Sequence, residues 1–206
     1  MIDYKDHPIF DDYDYVVGVD PGSITGVSVF DRFGMKDVSY HLALPSKDGI
    51  EKRNLGMAYS VLNEIAEVTT SEMAAFLIKV GRPTPFPPRI LFVIENNVIY
   101  PQRKNKAGKV IGGGFAAALT QREMIGVIAA YAHKYGADVI RVSPASAKKA
   151  LTGSGKAKKP DMVLAAKDVC TATIDGLGSV AKREAVADSM GIAMAGMVKY
   201  INDKEK

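Results

Sequence analysis

The sequence has little of the chemistry that binds soft metals or forms covalent crosslinks. Of its 206 residues only one is a cysteine, Cys170, and there is no tryptophan. A single cysteine excludes an intrachain disulfide and a zinc site built from cysteines. The three histidines, His7, His41 and His133, are scattered along the chain and have no metal-binding spacing.

Long apolar runs are also missing from the sequence. No segment approaches the roughly 18–20 consecutive apolar residues that a membrane-spanning helix needs. The amino-terminal stretch MIDYKDHPIFDD lacks the basic and apolar regions of a signal peptide. We therefore expect a cytoplasmic protein with no membrane partner, and an organelle stays open as an alternative.

The composition is that of an ordinary globular protein. Hydrophobic residues make up 47% of the chain and charged residues 24%, so a sizeable core can form. The length suits one domain, which we expect over residues 15–206 behind an N-terminal extension over residues 1–14. The net charge of +4 is only mildly basic. The cations nevertheless gather at 103–109 and 148–159, which indicates a polyanionic partner.

Hydrophobic periodicity and turn residues predict the order β-β-β-α-β-α-β-α-α-α. Three strands with short connections come first, and helix-separated strands follow. This pattern predicts an α/β fold whose mixed five-stranded sheet is flanked by helices. The predicted strands lie at 15–20, 23–30, 36–44, 90–95 and 137–143. The predicted helices lie at 51–80, 115–135, 144–151, 161–172 and 182–201, and loops are expected at 96–114 and 152–160.

Two predicted strands end in a carboxylate. Asp20 precedes a Pro-Gly turn, and Glu95 ends the apolar run ILFVIE. An acid at the end of a buried strand is costly unless a cation or a similar partner offsets its desolvation. If the two strands are parallel neighbours, a divalent ion would relieve the repulsion between the two carboxylates. The alternative is that each acid caps its strand in solvent.

Two further acids share a face of the last predicted helix. Glu184 and Asp188 are four residues apart in KREAVADSMGIAMAG, a segment whose small residues suit close packing on a sheet. They could complete a metal site. The alternative is an exposed acidic edge paired with Lys182 and Arg183, and the spacing by itself slightly favours this alternative.

Two basic segments could contact phosphates. The stretch LTGSGKAKKP at 151–160 offers backbone N–H groups and lysines, but its spacing is not that of a nucleotide P-loop. In the second, Tyr100 lies beside Arg103 and Lys104, and an aromatic among cations can stack on an unpaired base. A solvated surface loop and a mobile polar hairpin are the respective alternatives.

Four segments, taken together, resemble the RuvC-type Holliday-junction resolvases of the ribonuclease H-like superfamily. The resemblance runs in the right order over most of residues 15–200. It implies a ribonuclease H-like fold, and any one of the segments alone would be weak support. The segments are VVGVDPGSITGVSVF at 16–30, LFVIEN at 91–96, SPASAKKALTGSGKAKKPDMV at 143–163 and KREAVADSMGIA at 182–193.

The resemblance implies a role for individual residues. Asp20, Glu95 and Asp188 match the family's metal ligands. The family's fourth acid lies three residues before the last Asp, where this chain has Ala185; Glu184 lies one residue earlier, and its ligand role stays open. The predicted catalytic residues are Asp20, Glu95, Glu184, Asp188 and Lys159, and all four acids are candidate metal ligands.

The resemblance also implies DNA-binding residues. Lys148 and Lys159 match the family's phosphate-facing lysines, and Lys149 and Lys158 compete with them for these roles. Tyr100 is the candidate for contacting the centre of a junction. The full set of predicted DNA-binding residues is Lys148, Lys149, Lys156, Lys158, Lys159, Arg103, Lys104 and Tyr100.

The implied activity is hydrolysis of a phosphodiester in a four-way DNA junction with Mg²⁺, for which Mn²⁺ would substitute. A homodimer is expected because the junction has two strands to cut, and the predicted helix at 115–135 is either part of the dimer face or wholly internal. Three alternatives stay open. They are a ribonuclease H-like nuclease acting on other branched or hybrid substrates, a non-catalytic DNA-structure-binding protein, and a sugar-kinase-like nucleotide domain, for which the chain is short.

Overall fold

The computed structural model describes residues 7–22, 24–42, 60–63, 88–96, 103–104, 110–111, 115–134 and 136–205. After a 3₁₀ turn at Pro8–Asp11, the described chain forms seven strands and four complete helices. The strands are β1 Tyr15–Asp20, β2 Ile24–Asp31, β3 Gly34–Leu42, β4 Ile90–Glu95, β5 Arg103–Lys104, β6 Val110–Ile111 and β7 Asp138–Val142. The helices are α1 Phe115–Lys134, α2 Pro144–Thr152, α3 Lys159–Gly176 and α4 Val180–Lys204.

Five strands form the mixed sheet that the sequence predicts. Their spatial order is β3-β2-β1-β4-β7. The first three strands pair antiparallel, whereas β4 runs parallel to both β1 and β7. The carboxyl ends of β1, β4 and β7 therefore meet at one edge of the sheet. This fold class is confirmed.

One face of the sheet packs against α1. Odd-numbered positions of β1, such as Val17 and Val19, form a core with Met124 and Ile128 of this helix. The outer side of α1 is exposed at Arg122, Gly126 and Ala130, among others. Because one side of α1 faces solvent, the idea that this helix is wholly internal is wrong.

The other face packs against α2, α3 and α4. The core of α4 is buried from Ala185 to Met197, apart from Asp188, and the helix crosses the sheet from β2 towards β7. Two strand glycines allow this close approach. A Cβ at Gly26 would overlap the Ala185 carbonyl, and one at Gly18 would lie 2.8 Å from the Ala193 Cβ.

The N-terminal segment packs into this second core. Ile9 and Phe10 of the 3₁₀ turn are 0% and 3% exposed, in the same cluster as strand and helix residues. Lys204 at the end of α4 forms an ion pair with Asp12. The described part of the predicted extension, residues 7–14, is therefore packed on the domain.

Several predicted boundaries differ from the observed ones. The segment 96–114, predicted as a loop, contains a short antiparallel ribbon, β5 with β6; isolated pairs of two residues leave no hydrophobic periodicity in a sequence. α3 and α4 extend beyond 161–172 and 182–201, and α3 is kinked at Cys170, where the backbone is not helical (φ −152°, ψ 76°). The predicted helix at 51–80 is described, and helical, only at 60–63. In the ranges that the structure describes, no helix is long and apolar enough to cross a membrane.

Candidate acidic site

Asp20 lies at the carboxyl end of β1 and points towards α4. It shares the strand face of Val16 and Gly18, and it pairs across the sheet with Gly26. The turn that follows is held by two side chains. Thr25 Oγ1 donates to the carbonyl oxygen of Gly22 at 3.2 Å, and Gln121 Nε2 of α1 donates to that of Pro21 at 2.9 Å. The turn that follows the carboxylate is thus held both by the neighbouring strand β2 and by α1.

Glu95 occupies the equivalent position on the adjacent parallel strand. β1 and β4 are in register up to Val19 and Ile94, so Asp20 and Glu95 each follow the last paired residue. Glu95 is paired with Val142 of β7, and the amide of Asn96 donates to the Val142 carbonyl at 2.7 Å. The two acids therefore end neighbouring strands on the same face.

Asp188 reaches this edge from α4. The glycines at positions 18 and 26 let α4 lie close to the sheet, and the Asp188 side chain is 23% exposed. Glu184, one turn earlier, has the same exposure but contacts Lys159. Ala185 is buried, so a carboxylate at that position would be desolvated against β2. The burial of position 185 is a physical reason why the fourth acid of this chain is Glu184, one residue before the position that it has in the family.

The negative charge of the three innermost acids is only partly compensated by nearby lysines. Burial, together with the charges of Asp188 and Glu95, raises the pKa of Asp20 to about 8, although Lys159 partly opposes the shift. Burial and Asp188 raise the pKa of Glu95. Burial also raises the pKa of Asp188, while Lys159 counteracts that rise. Shifts of this kind, from desolvation and like charge, are typical of functional sites.

Lys159 supplies positive charge at the rim of the site. Its Nζ lies 3.0 Å from Glu184 Oε2 and 3.9 Å from Asp188 Oδ2. Burial would lower the pKa of Lys159, but the hydrogen bond with Glu184 and the charges of Asp188 and Asp20 outweigh it and raise that pKa. The start of α3 holds this lysine in place, because the Lys158 amide donates to Asp161 Oδ2 at 2.9 Å.

The acids are suitable ligands for a hard divalent cation. Carboxylate oxygens on three separate elements are the donors that Mg²⁺ and Mn²⁺ accept. Among the residues that the structure describes, however, no three acidic, histidine or cysteine side chains converge closely enough to hold an ion as they stand. Cation binding would require the carboxylates to draw together, and Glu184 could join them only by releasing Lys159.

The structure separates the competing lysines. Lys148 of α2 faces the acids, because its charge acts on both Glu95 and Asp188. Lys149 faces the other way, into a groove at the edge strand β7. Lys158 is exposed beside the helix start, and Lys159 is the one that reaches the acids. Of the two competing lysines on α2, Lys148 is therefore the one on the acidic side. Of the two at the start of α3, it is Lys159.

The remaining predicted DNA-binding residues lie away from the acids or outside the described residues. Lys156 is exposed in the loop between α2 and α3. That loop is held by Thr152 Oγ1, which donates to the Lys148 carbonyl at 2.8 Å, and the amide of Ser154 donates to Thr152 Oγ1 at 3.1 Å. The side chains of Arg103 and Lys104, and all of Tyr100, lie outside the described part of the chain.

Sequence reasoning missed the supporting residues of the site. Gln121, Gly18 and Gly26 each shape the surroundings of Asp20. The glycines carry a signal that could have been found, since glycine inside an apolar strand often marks close backbone approach. Gln121 lies a hundred positions from the turn that it holds, and no local pattern marks it.

The arrangement of elements is similar to that of three solved structures of junction resolvases. Searches with the sequence find no matching family model and no matching curated protein. The fold is similar to Thermus thermophilus RuvC, with a TM-score of 0.54 and 19% identity over 91% of this chain and 96% of that one. T. thermophilus RuvC in complex with a Holliday junction substrate gives 0.57 and 19%, over 92% and 97%. The yeast mitochondrial Holliday junction resolvase Ydc2 gives 0.58 and 16%, over 92% and 80%. The chain therefore has a RuvC-like resolvase fold.

Proposed function

We propose that this protein is a divalent-metal-dependent endonuclease that hydrolyses phosphodiesters in branched DNA, with the four-way junction as its substrate. The observation that carries the proposal is the meeting of Asp20, Glu95 and Asp188 from three elements at one sheet edge, with Lys148 and Lys159 beside them. The likeness to junction resolvases in fold supports the choice of substrate.

Asp20, Glu95 and Asp188 would hold the metal, and Glu184 would join them once Lys159 moves away. A bound Mg²⁺ or Mn²⁺ would activate the attacking water and stabilise negative charge on the phosphate and leaving oxygen. The charge of the cation would offset the repulsion that raises the pKa of Asp20. The acids would then all be ionised at neutral pH.

The lysines of the site would bind the substrate strand. Lys148 and Lys159 lie on the helices that border the acids, and both already act on the acids electrostatically. A DNA phosphate entering the site would offer their ammonium groups a new anionic partner. Lys159 would exchange its contact with Glu184 for the phosphate, which would free Glu184. The substrate and the cation would thereby favour each other's binding.

We further propose that the protein acts as a homodimer. A four-way junction has two strands to cut symmetrically, so a twofold protein assembly would match it. The outer face of α1 is the part of the described chain that we assign to the contact, because it is exposed and lies on the sheet face opposite the acids. Two acidic sites would then serve the two strands.

Cleavage of synthetic DNA tests the proposed activity. We expect a four-way junction to be cut in the presence of Mg²⁺, and linear duplex, flap and RNA–DNA hybrid substrates to be cut far less. Asp20→Asn should lower the cleavage rate by a factor on the order of 10²–10³, because a metal ligand contributes several kcal/mol to the transition state. The products are resolved on a denaturing gel.

Asp168→Asn is the matched control, because Asp168 is exposed on α3 away from the site. It should cut at the wild-type rate, and Asp20→Asn should still bind the junction. Undiminished cleavage by Asp20→Asn would contradict the assignment of this acid. Tight junction binding without cleavage in Mg²⁺ or Mn²⁺ would instead identify a non-catalytic DNA-structure-binding protein.

A further inference from the structure

A second polar groove lies beside the edge strand β7, on the far side of α2 from the acids. It has a volume of about 640 Å³ and lies between the end of β7, α2 and the last turns of α4. Three cations line it, Arg141, Lys149 and Lys199, together with the hydroxyls of Ser143 and Ser146. Asp203 is the acidic residue among the lining positions. The groove therefore carries a net positive charge.

The cations of the groove have no anionic partners in the described ranges. Arg141, Lys149 and Lys199 are exposed, and none of them forms an ion pair with a described carboxylate. The Lys199 Nζ donates to the Arg141 carbonyl oxygen at 3.2 Å, which holds it over the edge strand. Three cations beside the carboxylate of Asp203 leave the groove with a net positive charge, so an anion bound among them would be stabilised.

α2 separates this groove from the acidic site, and α4 connects the two. Ala147 of α2 packs on Gly191 of α4, where an added Cβ would lie 2.8 Å from the Ala147 carbonyl oxygen. On α4, Asp188 lies before this crossing and Lys199 after it. They are about 17 Å apart along the helix axis at ~1.5 Å per residue.

The two consecutive lysines of α2 also divide between the acidic site and the groove. Lys148 acts on the acids, whereas Lys149 lines the groove. A single DNA strand passing over α2 would meet both. A strand rises about 3.4 Å per nucleotide in a duplex, so ~17 Å corresponds to about five base pairs.

We propose that this groove binds backbone phosphates of the DNA arm that leaves the acidic site, about five base pairs from the bond that is cut. The inference rests on the proposed function and extends it from the scissile phosphate to the arm beside it. Arg141, Lys149 and Lys199 hold the phosphates by charge. Ser143 and Ser146 lie in the same groove and hydrogen-bond to each other at 2.8 Å, which leaves one hydroxyl hydrogen to donate to a phosphate. The contact orients the arm and is independent of base sequence.

The salt dependence of junction binding tests the groove. Lys149→Gln and Lys199→Gln should each weaken binding of a four-way junction roughly three- to tenfold at low salt. Each should also lower the slope of log K against log salt by about 0.9, because one phosphate contact is lost. Binding is measured by fluorescence anisotropy over a range of salt concentrations. In cleavage, KM should rise while kcat is unchanged, since the lost contact is the same in the ground and transition states.

Arg32→Gln is the control, because Arg32 is an exposed cation in the turn between β2 and β3, at the end of the strands opposite the acids. Its affinity and salt slope should equal those of the wild type. If the wild type binds the junction and the two groove variants match it in both quantities, the groove proposal is overturned and the proposed function stands. If the wild type itself fails to bind the junction, both are overturned.

Neutral linkages in the DNA backbone would locate the phosphates that contact the groove. Junctions with a methylphosphonate placed at successive positions of one arm remove one phosphate charge at a time. The wild type should lose affinity when the neutral linkage is about five base pairs from the cleavage site, and Lys199→Gln should lose no further affinity there. Additive losses for the variant and the substitution at every position would contradict the assignment.

Discussion

At the scale of single residues, the site is defined by how strongly Asp20 resists ionisation. Its carboxyl is desolvated and faces Asp188 and Glu95, which together raise its pKa to about 8. In the unfolded chain an aspartate ionises near pH 3.9. Between these two values the folded state retains a proton that the unfolded state loses. Ionisation of Asp20 therefore opposes folding as pH rises, when no cation is added.

We predict that Asp20→Asn makes the free energy of unfolding less sensitive to rising pH. In the wild type this group contributes stability at low pH that is lost as pH rises towards about 8, since its folded pKa is raised. Between about pH 5 and pH 9, in chelator, the free energy of unfolding of Asp20→Asn should gain on that of the wild type by at least about 1.4 kcal/mol, the equivalent of one pKa unit. Urea unfolding at both pH values measures the difference.

The exposed Asp168 again provides the control for this experiment. Asp168→Asn should follow the wild type at both pH values, because the substitution removes a solvated carboxylate. An equal pH response in the wild type and Asp20→Asn would show that the Asp20 carboxyl is solvated and is not pressed against the other acids.

At the scale of elements, the site depends on how closely α4 approaches the sheet. Gly26 lies under Ala185, three residues before Asp188, and Gly18 lies under Ser189, the residue after Asp188. Their missing side chains let the helix backbone touch the strands. Any residue larger than glycine would raise α4 and carry Asp188 away from Asp20 and Glu95.

We predict that Gly26→Ala destabilises the protein by about 1–3 kcal/mol, the usual cost of overpacking. The new Cβ would overlap the Ala185 carbonyl, which is backbone and cannot rotate aside. Junction cleavage should fall along with stability, because Asp188 is displaced. Denaturant unfolding and the cleavage assay are measured on the same preparations.

Gly176→Ala is the matched glycine control, since an added Cβ there meets no atom within 4 Å. It should leave both the stability and the cleavage rate close to wild type. Wild-type stability in Gly26→Ala would mean that α4 can shift without cost, against the packing described above.

At the scale of the whole molecule, the two faces of the sheet carry different sets of residues. The acids, Lys148 and Lys159 belong to the face covered by α2, α3 and α4. The α1 face carries neither the acids nor these lysines, although Gln121 of α1 supports the turn after Asp20. The outer surface of α1 includes Arg122, Gly126 and Ala130. A dimer built through α1 would leave both acidic sites open to DNA.

We predict that the protein is a dimer in solution and that Ala130→Arg makes it monomeric. A long cation on the exposed α1 surface would clash with the partner copy across a twofold contact. Sedimentation velocity of both proteins measures the change. The exposed Ala145→Arg on α2 serves as the control and should leave the mass unchanged. A wild type that is monomeric at all concentrations would contradict the dimer.

The strand-end acids and the mixed five-stranded sheet were accessible from the sequence, whereas the spatial order of the strands was not. The continuous apolar run before Glu95 and the Pro-Gly turn after Asp20 indicate buried strands that end at a carboxylate, and hydrophobic burial enforces that pattern locally. The predicted loop at 96–114 was incomplete, because the pairing of Arg103–Lys104 with Val110–Ile111 leaves no periodic signal.

The sequence by itself determined which residue types end each strand, because apolar periodicity and turn chemistry act over a few neighbouring residues. Only the tertiary structure decided that Lys148 faces the acids while Lys149 faces the groove, and that Glu184 contacts Lys159. The rotation of α2 about its axis is set where Ala147 meets Gly191 of α4, far away in the chain. Such contacts are made by packing between distant segments, so no local pattern encodes them.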